Sequence, residues 1–229
     1  GYGGIHLQLV REAVARGEAV LRAAVVINPA EEAENVQALR AGGGVVYGDY
    51  REMLAAERGR VDLCLIPTGI PWHARMTIEA LAAGMNVLVE KPLAGSVREA
   101  DEILRVEHES GRFVAVGFQD LYASFAQALQ RRLVAGEIGR IQRVRFLGLW
   151  PRPPSYFARN AWSGRLAAEG AAVLDSPLNN AFAHFVNLAL YFAAPRAGEV
   201  ARGRDVEAEL WRANAIESFD TGVVRATTP

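Results

Sequence analysis

Cysteine is almost absent from this chain of 229 residues, which holds only Cys64. One thiol excludes an internal disulfide and fits a reducing, cytoplasmic compartment. No block of like charge is present and the net charge is −1. Attraction to nucleic acid or to an anionic membrane therefore has no electrostatic basis, and the expected partners are small molecules. No apolar run reaches membrane-spanning length, no secretory signal pattern is visible, and there is no internal repeat or low-complexity tract. No metal site is expected. The chain also lacks an initiating methionine. It opens on Gly1-Tyr2-Gly3-Gly4-Ile5-His6, a glycine turn of the kind that normally follows a strand. The expectation is a fragment that lacks its first strand.

What is present is organised around residues 61–92. Leu63 to Ile66 is an unbroken apolar run, as expected of a strand buried on both faces. Pro67, Thr68 and Gly69 break it, and a helix follows from about Pro71 with Ala74, Ile78 and Leu81 on one face and Gly84 at its end. Val87 to Val89 reads as the next buried strand. Glu90 and Lys91 then stand at its carboxyl end, the edge where open α/β sheets place ligands. On the amino-terminal side, a helix carries Leu7, Val10 and Val14 to Gly17. Leu21 to Ile27 is a strand ending at Asn28, Glu31 to Arg40 a helix, Val45 to Tyr47 a strand, and Tyr50 to Glu57 a helix. After Pro92, Ser96 and Glu99 form a capping box for a helix that should turn Val97, Ala100 and Leu104 inward. Phe113 to Val116 is a further strand, before Gly117-Phe118-Gln119. Residues 1–119 thus alternate strand and helix, the pattern of a doubly wound parallel sheet.

The pattern changes over residues 120–229. Ser124 to Ala135 reads as a helix with Ala126, Leu129 and Leu133 on one side, and Ile141 to Trp150 as a strand. Ala158 to Ala172 reads as loop with short helical pieces, and Leu178 to Phe192 as an amphipathic helix. Asp205 to Arg212 is a half-exposed strand, and a strand-like run follows from Gly222. The expectation is an incomplete α+β domain with an open, largely antiparallel sheet.

The chemistry begins at the glycines. Gly1 and Gly3 occupy the first two positions of G-x-G-x-x-G, the turn that lets a pyrophosphate reach a helix N-terminus, with Gly4 and Ile5 inside it. His6 stands where the third glycine belongs, and would loosen the helix–strand contact. The acidic residue expected for an adenosine ribose is replaced by Asn28. Asparagine can bond a ribose and does not repel a 2′-phosphate, so NAD and NADP both remain open. Asn28 also suits an ordinary turn.

Together GYGGIH, PTGIPWHA, EKPLA, VGFQ and AGEIGRIQRVRF resemble the Gfo/Idh/MocA oxidoreductases along essentially the whole chain. The resemblance implies an N-terminal Rossmann domain and a C-terminal α/β domain whose sheet commonly packs against another subunit, hence a homo-oligomer. It implies hydride exchange between NAD(H) or NADP(H) and a secondary alcohol or carbonyl of a sugar, inositol or related polyol. It places Pro67, Thr68 and His73 against the cofactor, although His73 would also suit a capped or solvent-facing helix position. Glu90 and Lys91 match its E-K-P motif, which the resemblance places against the cofactor as well. A lysine there can hold a substrate hydroxyl and steady the developing oxyanion. Gln119 would lie near nicotinamide and substrate, and Trp162 matches a tryptophan ahead of the second-domain helix, with Ser163 replacing a common basic residue.

The departure comes at Asp175-Ser176-Pro177-Leu178-Asn179. Relatives usually carry D-x-G-x-H here, with the histidine as general acid/base. Asn179 cannot shuttle a proton near neutral pH. If both lie on a helix, Asp175 and Asn179 share a face toward the substrate. Lys91, with or without Asp175, would then take the proton, or His184 would reach the pocket; His184 also suits a half-buried structural position, and Asp175 a helix cap. Lys91, Asp175 and Asn179 form the candidate catalytic group, and Lys91, Gln119, Trp162, Asp175, Asn179 and His184 the candidate substrate contacts. A cofactor-binding sensor without turnover, and an NAD-dependent glycoside hydrolase, are the competing functions.

Overall fold

A computed structural model describes residues 2–228, so Gly1 lies outside the described residues. The chain divides into two compact units: residues 1–93 with 97–116, and residues 94–96 with 117–229.

In the first unit, helix α1 (Tyr2–Ala15) precedes strand β1 (Ala23–Val25), helix α2 (Ala33–Ala41), strand β2 (Val45–Tyr47) and helix α3 (Tyr50–Ala56). Strand β3 (Leu63–Ile66), helix α4 (Ile70–Ala82), strand β4 (Asn86–Val89), helix α5 (Val97–Ser110) and strand β5 (Val114–Val116) follow. All ladders here are parallel. β1 pairs with β2, and β3, β4 and β5 pair in that order. Asp49 caps α3 by accepting hydrogen bonds from the N–H groups of Arg51 and Glu52. Glu57, almost fully buried, accepts hydrogen bonds from Arg22 and Tyr47, and these bonds outweigh its burial in lowering its pKa. The core joins Leu54, Ile66, Ala80, Leu81, Met85, Val87 and Val89. Full burial of one such aliphatic side chain contributes about 1.5–3 kcal/mol.

Two expectations for this unit are corrected. β3 is not buried on both faces, since Leu63 is 44% exposed. Among the described residues it lies at the edge of the β3–β4–β5 ladder, in which β4 is the central strand. In α5 the inward residue is Ile103, whereas Val97 and Leu104 face solvent. The helix turns the Ala100–Ile103–Val106 stripe toward the core, one position round from the expected one.

The second unit holds helices α6 (Gln119–Tyr122), α7 (Ser124–Val134) and α8 (Pro154–Phe157). A hairpin of β6 (Ala167–Ala168) and β7 (Ala171–Ala172), helix α9 (Ala183–Phe192), and antiparallel strands β8 (Arg204–Trp211) and β9 (Thr221–Thr227) complete it. On α7 the buried pair is Ala126 and Gln130, while Leu129 is exposed. The Gln130 amide donates to the carbonyls of Tyr191 and Glu199, so a polar side chain is satisfied where an apolar one was expected.

The expected strand over 141–150 is not formed. Its alternation suits an extended segment, but β8 and β9 pair with each other, and the ladder that would make 141–150 a strand is missing among the described residues. Phe146 and Trp150 from this segment pack instead on Phe182 and Phe185. The loop expected over 158–172 contains the β6–β7 hairpin. Its two-residue turn, Glu169-Gly170, has positive φ at both positions, which fits the right-handed twist of the strands. A methyl group on Gly95 would stand 1.7 Å from the Ala172 carbonyl oxygen, so only glycine fits beside this hairpin. Strands β8 and β9 are exposed along their whole length rather than half-exposed. No described helix is long and apolar enough to cross a membrane.

Candidate active site

Candidate residues occur in both units. In the first unit, the glycine turn forms the opening turn of α1, with Gly3 and Gly4 inside the helix. A Cβ on Gly3 would meet only Pro67 Cγ, at 3.9 Å, and one on Gly4 would meet nothing within 4 Å. Packing therefore does not require glycine at either position. Glycines in the first turn of a helix let a pyrophosphate approach the backbone closely. The residues present fit a dinucleotide: Gly3, Gly4 and Ile5 would hold the pyrophosphate, with Pro67 beside them.

Asn28 follows β1. Its amide donates to Glu31 Oε2 at 3.3 Å, and its carbonyl accepts from the N–H groups of Glu31 and Glu32. It is thus a turn residue with a carboxylate beside it.

Pro67, Thr68 and Gly69 end β3, and α4 begins directly afterwards, which places His73 in its second turn. His73 is 1% exposed. Its Nδ1 is 2.6 Å from the Pro92 carbonyl oxygen and its Nε2 is 3.0 Å from that of Thr68. Burial lowers its pKa, opposed by these carbonyls and by the Glu90 charge and reinforced by Lys91. A neutral imidazole has one N–H, and the shorter contact assigns it to Nδ1 and Pro92. His73 therefore links the chain leaving β3 to the chain leaving β4. It is not the capped or solvent-facing residue that was the alternative to a cofactor role.

Glu90 and Lys91 leave the carboxyl end of β4 before a cis Lys91–Pro92 bond. Both oxygens of the Glu90 carboxylate are engaged. Oε1 lies 2.8 Å from His6 Nε2, and Oε2 accepts from the Lys91 backbone N–H at 3.3 Å. His6, expected to loosen the packing of α1, instead ties its second turn to the end of β4. The two side chains are only 13% and 12% exposed. Lys91 has a further feature that a count of lysines alone would have revealed. The other 24 basic residues are all arginine, and Lys91 is the chain's single lysine.

In the second unit, Gln119 opens α6 and is exposed. The backbone N–H of Trp162 donates to Asn160, and Arg159 lies over its ring with Cζ 5.5 Å from the centroid. Asp175 is 4% exposed. Its Oδ2 accepts from the Gly164 N–H at 2.6 Å and its Oδ1 from the Asn180 amide at 2.8 Å.

The helix expected from Leu178 begins only at Ala183, so Asp175 and Asn179 do not share a helix face. Side-chain bonds to the main chain explain the delay. Ser176 Oγ accepts from the Asn179 N–H, and the Asn179 amide donates to the Val173 carbonyl, holding residues 176–182 in turns. Asn180, which the sequence did not single out, is the residue that meets Asp175. His184 lies in the first turn of α9, its ring edge-on to Phe118 and its Nδ1 4.0 Å from Asp120 Oδ2. Asp120 was likewise not singled out.

The sequence profile described as an oxidoreductase family with an NAD-binding Rossmann fold matches residues 1–118. Inositol 2-dehydrogenase of Klebsiella pneumoniae (strain 342) is 35% identical over 134 residues, which cover 56% of this chain and 39% of that protein. Among solved structures, the WlbA dehydrogenase of Bordetella pertussis, in complex with NADH and UDP-GlcNAcA, matches with a TM-score of 0.77 at 25% identity, over 96% of this chain and 59% of that one. An oxidoreductase domain protein from Kribbella flavida matches with a TM-score of 0.71 at 27% identity, over 100% and 62%. The chain therefore spans less than two thirds of the length of these relatives.

Proposed function

The chain belongs to the Gfo/Idh/MocA oxidoreductase family, and from that membership we propose that it exchanges a hydride between NAD(H) or NADP(H) and a secondary alcohol or carbonyl of a sugar, inositol or related polyol. The observation that carries this reading is the placement of the only lysine. It stands at the carboxyl end of β4, directly after a carboxylate bonded to the glycine-bearing helix. When bound, the nicotinamide supplies the hydride acceptor or donor. The protein's part is positioning and charge. Gly3, Gly4 and Ile5 hold the pyrophosphate at the open turn of α1. Pro67 and Thr68 line the cofactor, with buried His73 beside Thr68. The Lys91 ammonium bonds the reacting oxygen and steadies negative charge as it develops there.

The test uses Lys91→Met. Titration of tryptophan fluorescence with NADH and NADPH should show wild-type and variant binding one of them alike. Turnover on a panel that includes myo-inositol should fall about 10²–10⁴-fold in the variant. Undiminished turnover would refute the role of Lys91, and no binding of either cofactor by folded wild-type protein would refute the function. The sensor reading draws on the second unit, where Asp175 and Asn179 are both taken up by local bonds. It predicts cofactor binding with no turnover of any panel member.

A further inference from the structure

The near-neutral total charge hides one local imbalance. No acidic residue falls between Glu137 and Glu169, a stretch that carries Arg140, Arg143, Arg145, Arg152, Arg159 and Arg165. Arg165 is paired with Glu217. Among the described residues, Arg152 and Arg159 have no carboxylate partner and are held by aromatic rings instead. Arg152 Cζ is 4.4 Å from the centroid of Tyr156 and 5.5 Å from that of Trp150. Arg159 Cζ is 3.4 Å from the same Tyr156 centroid and 5.5 Å from that of Trp162. The result is a row within the second unit, in the order Trp150, Arg152, Tyr156, Arg159, Trp162.

Because both guanidinium groups share one ring, their carbons lie within about 8 Å of each other, the screening length at physiological salt. The two charges repel, and nothing acidic in the row offsets them. Arg152 is also half-buried, and among the described residues none of its N–H groups is spent on a hydrogen bond. A ring attracts a guanidinium but leaves the donors in the guanidinium plane free to bond. Arg159 spends one of its own, on the Tyr156 carbonyl at 3.2 Å. At the end of the row, Ser163 is 5% exposed and its Oγ has no hydrogen-bond partner among the described residues.

We propose that this row binds an anionic group of the substrate: a carboxylate or phosphate carried on a sugar and held by Arg152 and Arg159 beside the Tyr156 ring. The proposal rests on the function given above and narrows its substrate class from polyols in general to acidic sugars. A guanidinium fork matches the two oxygens of a carboxylate or phosphate, and an anion there offsets the repulsion between the arginines. A neutral polyol offers neither.

The experiment measures binding by calorimetry to the full chain, without cofactor and loaded with whichever of NADH and NADPH it binds. D-glucuronate and D-glucose 6-phosphate are each compared with D-glucose, and turnover is measured on all three. At least one acidic sugar should bind about tenfold more tightly than D-glucose. Preference for glucuronate assigns the row to carboxylates, and preference for the phosphate assigns it to phosphosugars. Arg152→Met keeps a long apolar side chain against the rings and removes the charge, so it should cut the preference about tenfold. Arg152→Lys, a charge without the fork, should recover only part of it. The preference should also shrink as sodium chloride rises from about 0.05 M to about 0.5 M. Melting temperature serves as the control for folding, and if Arg152→Met does not fold, Arg159→Met takes its place.

Equal or weaker binding of both acidic sugars would overturn the proposal, and so would a preference that survives the loss of the arginine charge. Turnover of D-glucose without turnover of either acidic sugar would overturn it and leave hydride transfer standing. A folded wild-type chain that binds neither NADH nor NADPH removes the proposed function itself, and the titrations without cofactor then decide the anion site separately.

Discussion

Asp175 is the position where a catalytic and a structural role predict opposite results, and the structure allows the size of the effect to be worked out. Asp175→Ala removes the acceptor for the buried Gly164 N–H and for the Asn180 amide, both short bonds to a group 4% exposed. A hydrogen bond to a charged group contributes about 1.5–3 kcal/mol, and an orphaned buried donor costs a comparable amount. The two losses together amount to about 3–5 kcal/mol. In a chain of this length each kcal/mol lowers the melting temperature by about 2–4 °C, so Asp175→Ala should melt roughly 6–20 °C below wild type. Asp175→Asn keeps one oxygen for Gly164, and Asn180 can rotate its amide to accept from the new NH₂ group, so the cost falls to about 1 kcal/mol. Thermal unfolding followed by circular dichroism measures both variants, and turnover on the substrate that the wild type accepts completes the test. Asp175→Asn should keep at least a third of wild-type turnover. A variant that melts like wild type yet loses about 10³-fold in turnover would refute the structural argument and return the carboxylate to the chemistry.

Two further outcomes follow from the geometry. Gly3→Ala has room for its methyl group and should leave stability unchanged or raise it by up to about 1 kcal/mol, because alanine is the better helix former. NADH titration should nonetheless show a loss of at least about tenfold, since the methyl lies where the pyrophosphate must approach; unchanged affinity would place the cofactor elsewhere. Asp220 sits between Trp211 and β9. Burial pushes its pKa up, but the N–H groups of Ala213 and Asn214, with the side chains of Asn214 and Thr221, more than reverse this and hold it down at about 2. A depressed carboxylate stabilises the fold fully above its unfolded pKa, near 3.9, and that stabilisation is lost as pH falls through the folded value. The β8–β9 connection should therefore loosen between about pH 4 and pH 2. Amide exchange at Ala213 and Asn214 would show it, and Asp220→Asn should abolish the pH dependence in that window.

How much of this was legible from sequence depended on whether the deciding partner lay nearby in the chain. β2, β3, β4, α3 and α4 fall within about a residue of their expected bounds, because buried runs, Asp49, Pro71 and Gly84 all act locally. The strand expected over 141–150 was not formed, because alternation specifies an extended segment and only a neighbour makes it a strand. The start of α9 was misplaced for a different reason. Leu178 and Phe182 have the right spacing for a helix, but Ser176 and Asn179 spend their hydrogen bonds on the backbone and postpone it.

The candidate site divides along the same line. Lys91, Glu90 and the glycine turn could be read from order in the chain, since each follows or opens a regular element. The role of His6 could not, because its meaning depends on a residue 84 positions away. By motif alone His6 is a failed glycine, and by geometry it is half of a bonded pair. The same reasoning separates the two asparagines after Asp175. Spacing favoured Asn179, since i and i+4 meet on a helix, but the chain there is not helical, and the turns bring Asn180 to the carboxylate. A motif residue carries its usual role only when the backbone that gave the motif its geometry is also present. That backbone is present at the end of β4 and absent at residues 175–179, so in this chain Lys91 is the stronger claim to chemistry and Asp175 the stronger claim to structure.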